Sequence, residues 1–304
     1  MTEIGRLLTA MVTPFSQSGE VDYGQARKLA KSLIKSGSDG LVIGGTTGEA
    51  PSMSSDEKIR LFAEVKEEVG GTATVIAGTS DNYHHGSLEM SKEAAATGVD
   101  ALLLTVPSYN KPSQEGLYQH FKALARASQL PCILYNVPSR TALNMDDDTT
   151  LRLAEIDNIV GIKEASSDAD QITKIIENAP VGFNVWSGND NETFSIICTG
   201  GYGVVSVASN IIGNQIKSMI RMILGGEIGK AALEHRRMLA IFNALFWVTN
   251  PAPIKYALNR AGFNAGPLRL PMWEPDKTFK TNFNPLLDKY NIDLPIAMRR
   301  QEST

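Results

Sequence analysis

Short apolar runs alternate with helix-periodic stretches along most of the chain. The runs fall near residues 7–12, 41–43, 74–77, 101–106, 132–135, 159–163, 183–186 and 204–207. Their length and their content of Leu and β-branched residues suit strands covered on both faces. Apolar residues return at helical steps in the intervening stretches 25–36, 54–69, 87–97, 115–128, 148–156, 170–178 and 192–199, and again at 212–224. Ser54 and Glu57 have the spacing of a capping box, which predicts a helix start. Gly37, Gly98 and Gly200 each follow a helical stretch and precede an apolar run. Glycine at such a junction closes the helix in the left-handed conformation, so the repeat reads as a series of βα units. Eight alternations predict a closed (β/α)8 barrel, an α/β fold. An open doubly wound sheet would want a glycine fingerprint after its first strand, where this chain has Thr13-Pro14-Phe15.

The strand series gives out before the chain does. The pattern therefore predicts two parts, a barrel over residues 1–224 and a C-terminal helical extension over 225–304. The extension has amphipathic runs at 228–248 and 253–261, a loop punctuated by Pro267, Pro271 and Pro275, a short helical segment at 284–290, and an end expected to fray at 298–304. Its apolar stretch 238–248 is about half of the ~20 residues a membrane span needs and contains Asn243, so it is expected to be a buried helix and no membrane partner is expected.

Composition narrows the function classes. With 42% hydrophobic and 20% charged residues the chain can bury a full core, which argues against disorder. A net charge of -4 without a Lys/Arg stripe gives a nucleic-acid partner no electrostatic footing. Cys132 and Cys198 lie far apart without Cys-x-x-Cys spacing, and no signal-type leader opens the sequence, so a reducing cytoplasm is the expected location. The four histidines, His84, His85, His120 and His235, show no metal-ligand spacing, and no metal is expected.

In a barrel, reactive groups gather where strands end. The sixth run ends in Lys163-Glu164. Partial burial disfavours an ammonium and leaves free amine to attack a ketone as a Schiff-base nucleophile, whereas a rim lysine reaching water or pairing with Glu164 is equally compatible with the pattern. Gly44-Gly45-Thr46-Thr47-Gly48 offers backbone N–H groups and two hydroxyls for a carboxylate or phosphate, or is an ordinary turn whose hydroxyls cap the next helix. Tyr109 and Tyr135 could relay protons with Thr47, or be tyrosines with routine partners. Arg140 could grip a carboxylate in bidentate fashion, or form a surface salt bridge. The turns Ser187-Gly188-Asn189-Asp190 and 206–210 sit where many barrels hold phosphate, though no basic residue accompanies them.

Gly45-Thr46-Thr47-Gly48-Glu49, Tyr135-Asn136-Val137-Pro138-Ser139-Arg140-Thr141 and Gly161-Ile162-Lys163-Glu164-Ala165-Ser166 together resemble the motifs of the dihydrodipicolinate synthase and N-acetylneuraminate lyase superfamily, in order and spacing. Arg140 and Pro107-Ser108-Tyr109-Asn110 look more like the dihydrodipicolinate synthase branch than the sialic-acid or keto-deoxy-sugar aldolases, which remain the alternative. The resemblance implies a lyase of lysine and diaminopimelate biosynthesis that needs no cofactor. Pyruvate would condense with Lys163 and add as its enamine to L-aspartate 4-semialdehyde, giving 4-hydroxy-tetrahydrodipicolinate. It further implies Tyr135, Thr47 and Tyr109 as the proton relay, with Tyr109 supplied by a neighbouring subunit of a homotetramer built as a dimer of dimers. Thr46 and Thr47 would hold pyruvate's carboxylate, Arg140 that of the semialdehyde, and the backbone near Gly188 and Val205 would line the pocket. Relatives that bind lysine use a histidine, a glutamate and an extra tyrosine where this chain has Ser55, Gly86 and Ser108, and only Asn82 matches. Inhibition by lysine is therefore expected to be weak or absent.

Overall fold

The structure, a computed structural model, describes residues 4–295; the tail expected to fray at 298–304 lies outside the described residues. Eight strands, β1 (Leu7–Ala10), β2 (Gly40–Ile43), β3 (Thr74–Gly78), β4 (Ala101–Thr105), β5 (Cys132–Asn136), β6 (Ile159–Glu164), β7 (Asn184–Ser187) and β8 (Gly203–Ser206), run in sequence order around a closed barrel. All pairings are parallel, and β1 closes the ring by pairing with both β2 and β8. The barrel helices are α1 (Tyr23–Lys35), α2 (Ser55–Val69), α3 (His84–Ala96), α4 (Gln114–Ser128), a short α5 (Pro138–Thr141), α6 (Asp147–Ala154), α7 (Ala169–Asn178), α8 (Thr193–Cys198) and α9 (Ser209–Leu224). The extension adds α10 (Ile228–Ala244), α11 (Ala252–Arg260) and α12 (Lys277–Leu287).

Strand alternation builds two cores. Leu8, Val42, Ile76, Leu103, Ile133, Trp186 and Val205 point inward and fill the barrel. Leu7, Leu41, Val75, Leu102, Leu134, Ile162 and Val204 point outward against helix faces carrying Leu29, Phe62 and Phe121. Each fully buried side chain of this size contributes roughly 1.5–3 kcal/mol of transfer free energy, which is why apolar residues predominate on both faces of the strands. The glycine junctions take the expected conformation, with φ of 97° at Gly37, 81° at Gly98 and 105° at Gly200. Ser54 and Glu57 form the capping box of α2.

Several boundaries differ from the periodicity. Helix α9 starts at Ser209, but Ile212 has φ -132° and ψ 39°, so only the leg after that break carries the helical repeat. Its first turn is held by Asn210, which donates to the carbonyls of Ala10 (2.8 Å) and Val207 (2.9 Å) across the barrel end. Helix α12 begins well before 284 because Asp276 caps it, accepting from Phe279 N at 2.7 Å. Helix α3 starts at His84 rather than 87, and α5 went unpredicted because four residues are too short for a period to register. The stretch 238–248 is not one buried helix: α10 stops at Ala244, and Phe246, Trp247 and Val248 are 45%, 50% and 37% exposed. Among the described residues no helix is long and apolar enough to cross a membrane.

The extension is tied to the barrel by buried polar contacts. Lys255 of α11 pairs with Glu49 after β2 at 2.8 Å, both side chains being 1% exposed. Glu49 also accepts from Arg269 N (2.9 Å), and Arg269 holds Glu57 of α2 through both terminal nitrogens. Ser36 donates to Asp293 at 2.7 Å.

Candidate active site

Lys163 sits in β6 with Tyr135 of β5 and Trp186 of β7 as its lateral neighbours in register. Its side chain points inward and its Nζ lies 4.0 Å from the centre of the Tyr135 ring. Burial, assisted by the nearby Arg140 guanidinium and opposed by Asp190, pushes the ammonium down to about 7, so much of the amine is uncharged at neutral pH. Glu164, one residue on, points the opposite way. Its carboxylate accepts from Asn136 Nδ2 (3.1 Å), Ser166 N (2.7 Å) and Gln171 Nε2 (3.2 Å) in the helix layer, and burial raises its pKa. Strand alternation thus removes Glu164 as a partner for Lys163.

The inward-facing amine opens into a cavity of about 450 Å³ at the C-terminal mouth of the barrel, which Thr46, Thr47, Tyr135, Arg140 and Gly188 also line. Thr46 and Thr47 lie on a 3-10 turn, Thr46–Gly48, and neither hydroxyl caps α2, whose cap is Ser54. Glu49 then takes left-handed φ/ψ (57°, 34°), which turns its carboxylate to Lys255 and Arg269 and fastens the turn to the extension. The Thr47 hydroxyl accepts from Asn250 Nδ2 at 2.9 Å. Arg140 lies in α5, started by Pro138, and donates to the Asn250 carbonyl at 3.3 Å. Among the described residues no carboxylate pairs with Arg140, so it is a cation at the cavity wall rather than half of a surface salt bridge. Burial pushes the Tyr135 phenol up to about 12, opposed by Arg140, so this hydroxyl keeps its proton.

Two expected residues lie elsewhere. Tyr109 follows β4 at φ 70°, is 92% exposed and does not line the cavity. Val205 is fully buried in the barrel interior, and the wall near β8 is made by Val207 instead. The Val207 and Ala208 N–H groups after β8 are not free for a phosphate. Asp190 occupies them, accepting from Val207 N and Ala208 N at 3.0 Å and from the Ser206 hydroxyl. Burial raises the Asp190 pKa against these hydrogen bonds. Asp190, Asn250 and the rim residues Phe246 to Thr249 were not singled out by sequence reasoning. Asp190 closes the strand-end turn Ser187-Gly188-Asn189-Asp190, which was the available signal. For Asn250 the only hint was a polar residue closing an apolar run.

A nucleophilic amine at neutral pH and an uncompensated cation share one small cavity, which puts the molecule in the class of (β/α)8-barrel enzymes suited to carbonyl chemistry on small carboxylic acids. Comparison with known proteins narrows the class. The model of the dihydrodipicolinate synthetase family matches residues 3–290, and the chain belongs to that family. A 4-hydroxy-tetrahydrodipicolinate synthase of Dehalococcoides mccartyi is 55% identical over 97% of this chain and 100% of the relative. Among solved structures, a dihydrodipicolinate synthase of Bacillus anthracis superposes with a TM-score of 0.93 at 42% identity, covering 95% of this chain and 99% of that one. The enzyme of Cyanidioschyzon merolae, solved with lysine bound, gives a TM-score of 0.92 at 40% identity over 96% of this chain and 99% of that one.

Proposed function

We infer that the protein condenses pyruvate with L-aspartate 4-semialdehyde to 4-hydroxy-tetrahydrodipicolinate, the committed step toward diaminopimelate and lysine. The observation that carries the reading is the buried Lys163 amine, held near pH 7 in the same cavity as Thr46, Thr47, Tyr135 and Arg140. The neutral amine attacks the ketone carbon of pyruvate, and the carbinolamine loses water to give an iminium. Loss of a methyl proton yields the enamine, whose carbon bonds to the aldehyde carbon. The substrate amine then attacks the iminium carbon and expels Lys163, which restores the free enzyme.

Each group has a role suited to its chemistry. The Thr46–Gly48 turn holds the pyruvate carboxylate with N–H groups and hydroxyls. Arg140 takes the semialdehyde carboxylate, since a planar guanidinium matches it in bidentate fashion. Tyr135, protonated across the working range, gives its proton to the departing oxygen and recovers it through Thr47. Gly188 and, in place of the expected Val205, Val207 complete the pocket. Tyr109, exposed in one chain, joins the relay of a neighbouring subunit, which fits a homotetramer made of two tight dimers. Residues 1–224 form the catalytic barrel and 225–304 its helical extension, and the enzyme works in the cytoplasm. No cofactor takes part in these steps.

The test is borohydride reduction in the presence of pyruvate, followed by mass mapping, together with a coupled assay of the two substrates. An adduct on Lys163 and consumption of aspartate semialdehyde are expected. An unmodified Lys163, or turnover only with sugar-derived aldehydes, would reject the reading.

A further inference from the structure

Asn250 belongs to the extension, after α10, yet it is 4% exposed and lines the barrel cavity. Its side chain donates through Nδ2 to the Thr47 hydroxyl at 2.9 Å, while its backbone carbonyl accepts from Arg140 at 3.3 Å. One residue therefore touches both ends of the site, the hydroxyl on the pyruvate side and the guanidinium on the semialdehyde side. Its Oδ1 is buried and accepts no hydrogen bond from the protein. A buried carbonyl left unpaired opposes folding, so an apolar residue of similar size would suit stability better. Retention of a donor at that cost directs attention to what the donor does.

A hydroxyl has one proton and two lone pairs. With Nδ2 filling one lone pair, the Thr47 proton cannot be aimed at Asn250, which offers no acceptor on that side. The proton and the second lone pair are left for the cavity, the arrangement in which a hydroxyl takes a proton from one neighbour and gives one to another. We propose that Asn250 is a positioning residue for the reaction, orienting the Thr47 hydroxyl for proton relay through its side chain and restraining Arg140 through its carbonyl. The helical extension is on this account a working part of the active site. The inference rests on the proposed function and assigns a role to a residue outside the barrel.

The two contacts predict a division of effects. Substituting the side chain removes the donor to Thr47 and leaves the carbonyl that restrains Arg140. The variants Asn250→Val, which fills the space without polar atoms, and Asn250→Ala are assayed alone and combined with Thr47→Val. Alone, each is expected to lower kcat by about 10-fold or more, as befits damage to a proton-transfer group, with thermal midpoint retained. The KM for the semialdehyde should stay within about twofold, because uniform binding through Arg140 is untouched. In the Thr47→Val background the same substitutions should change kcat by less than about twofold, since Asn250 acts through a hydroxyl that is no longer there. Equal fold losses in both backgrounds, or a raised KM at unchanged kcat, would overturn the proposal while leaving the Lys163 adduct and the proposed function intact. Absence of the adduct in the unaltered enzyme would instead remove the reading beneath it.

Discussion

Replacing Lys163 with Met should stabilise the protein, and by an amount that depends on pH. Burial lowers the ammonium from 10.5 to about 7, a depression of roughly 3.5 units at about 1.4 kcal/mol each, or at most roughly 5 kcal/mol against folding. Because the folded value is the lower one, the unfolded chain binds more protons between the two values, and stability from this group rises with pH across that window. The full penalty therefore operates below about pH 7, falls to about 2 kcal/mol at pH 9, and vanishes above the unfolded value near 10.5. Methionine keeps the unbranched stem beside Tyr135 and removes the charge. Urea unfolding of both proteins at pH 6 and pH 9, without pyruvate and at one protein concentration, reads the difference from midpoints and slopes. The variant should gain a little under half as much at pH 9 as at pH 6. An equal gain at both values would assign the effect to packing, and a loss at pH 6 would refute the claim that the buried amine resists protonation.

Arg140→Ala removes a cation that depresses the lysine, so the pH midpoint for trapping the pyruvate adduct should move upward; kcat/KM for the semialdehyde should also fall about 10- to 100-fold, the usual loss for one charge-assisted contact. A fall in kcat/KM with no shift in the midpoint would separate Arg140 from the nucleophile. Glu49→Gln leaves Lys255 buried beside a neutral partner, and urea unfolding should show a loss of about 3–5 kcal/mol. A loss under 1 kcal/mol, within the range of an exposed pair, would mean that water reaches the pair. Lysine should inhibit the coupled rate weakly or not at all, because Gly86 and Ser108 offer no carboxylate or phenol and the Asn82 side-chain oxygen is already taken by Ser108 N at 2.8 Å. Inhibition by micromolar lysine would contradict this.

The parts of the molecule that could be read from the chain are those fixed by local rules. Leu41 and Val42 must face opposite ways along β2, so an unbroken apolar run there reports burial on both faces. Gly37 and Gly98 mark where helices stop because the left-handed conformation is inexpensive only for glycine. Lys163 was legible for the same reason, as a charge at the end of such a run. What was hidden depends on closure of the barrel. Asn250 meets Thr47 across 203 residues of sequence, and neither neighbourhood contains a trace of the other. The stretch 238–248 shows how that limit produces an error. Its apolar content suggested a buried helix, yet Phe246 and Trp247 form a half-exposed rim of the cavity after α10 has ended. Apolar side chains at a substrate entrance and in a core have the same transfer free energy, and only the fold decides which are covered. The extension was therefore identifiable as helical, while its contribution to the site appeared only once Asn250 and Lys255 were placed beside the turn that carries Thr47 and Glu49.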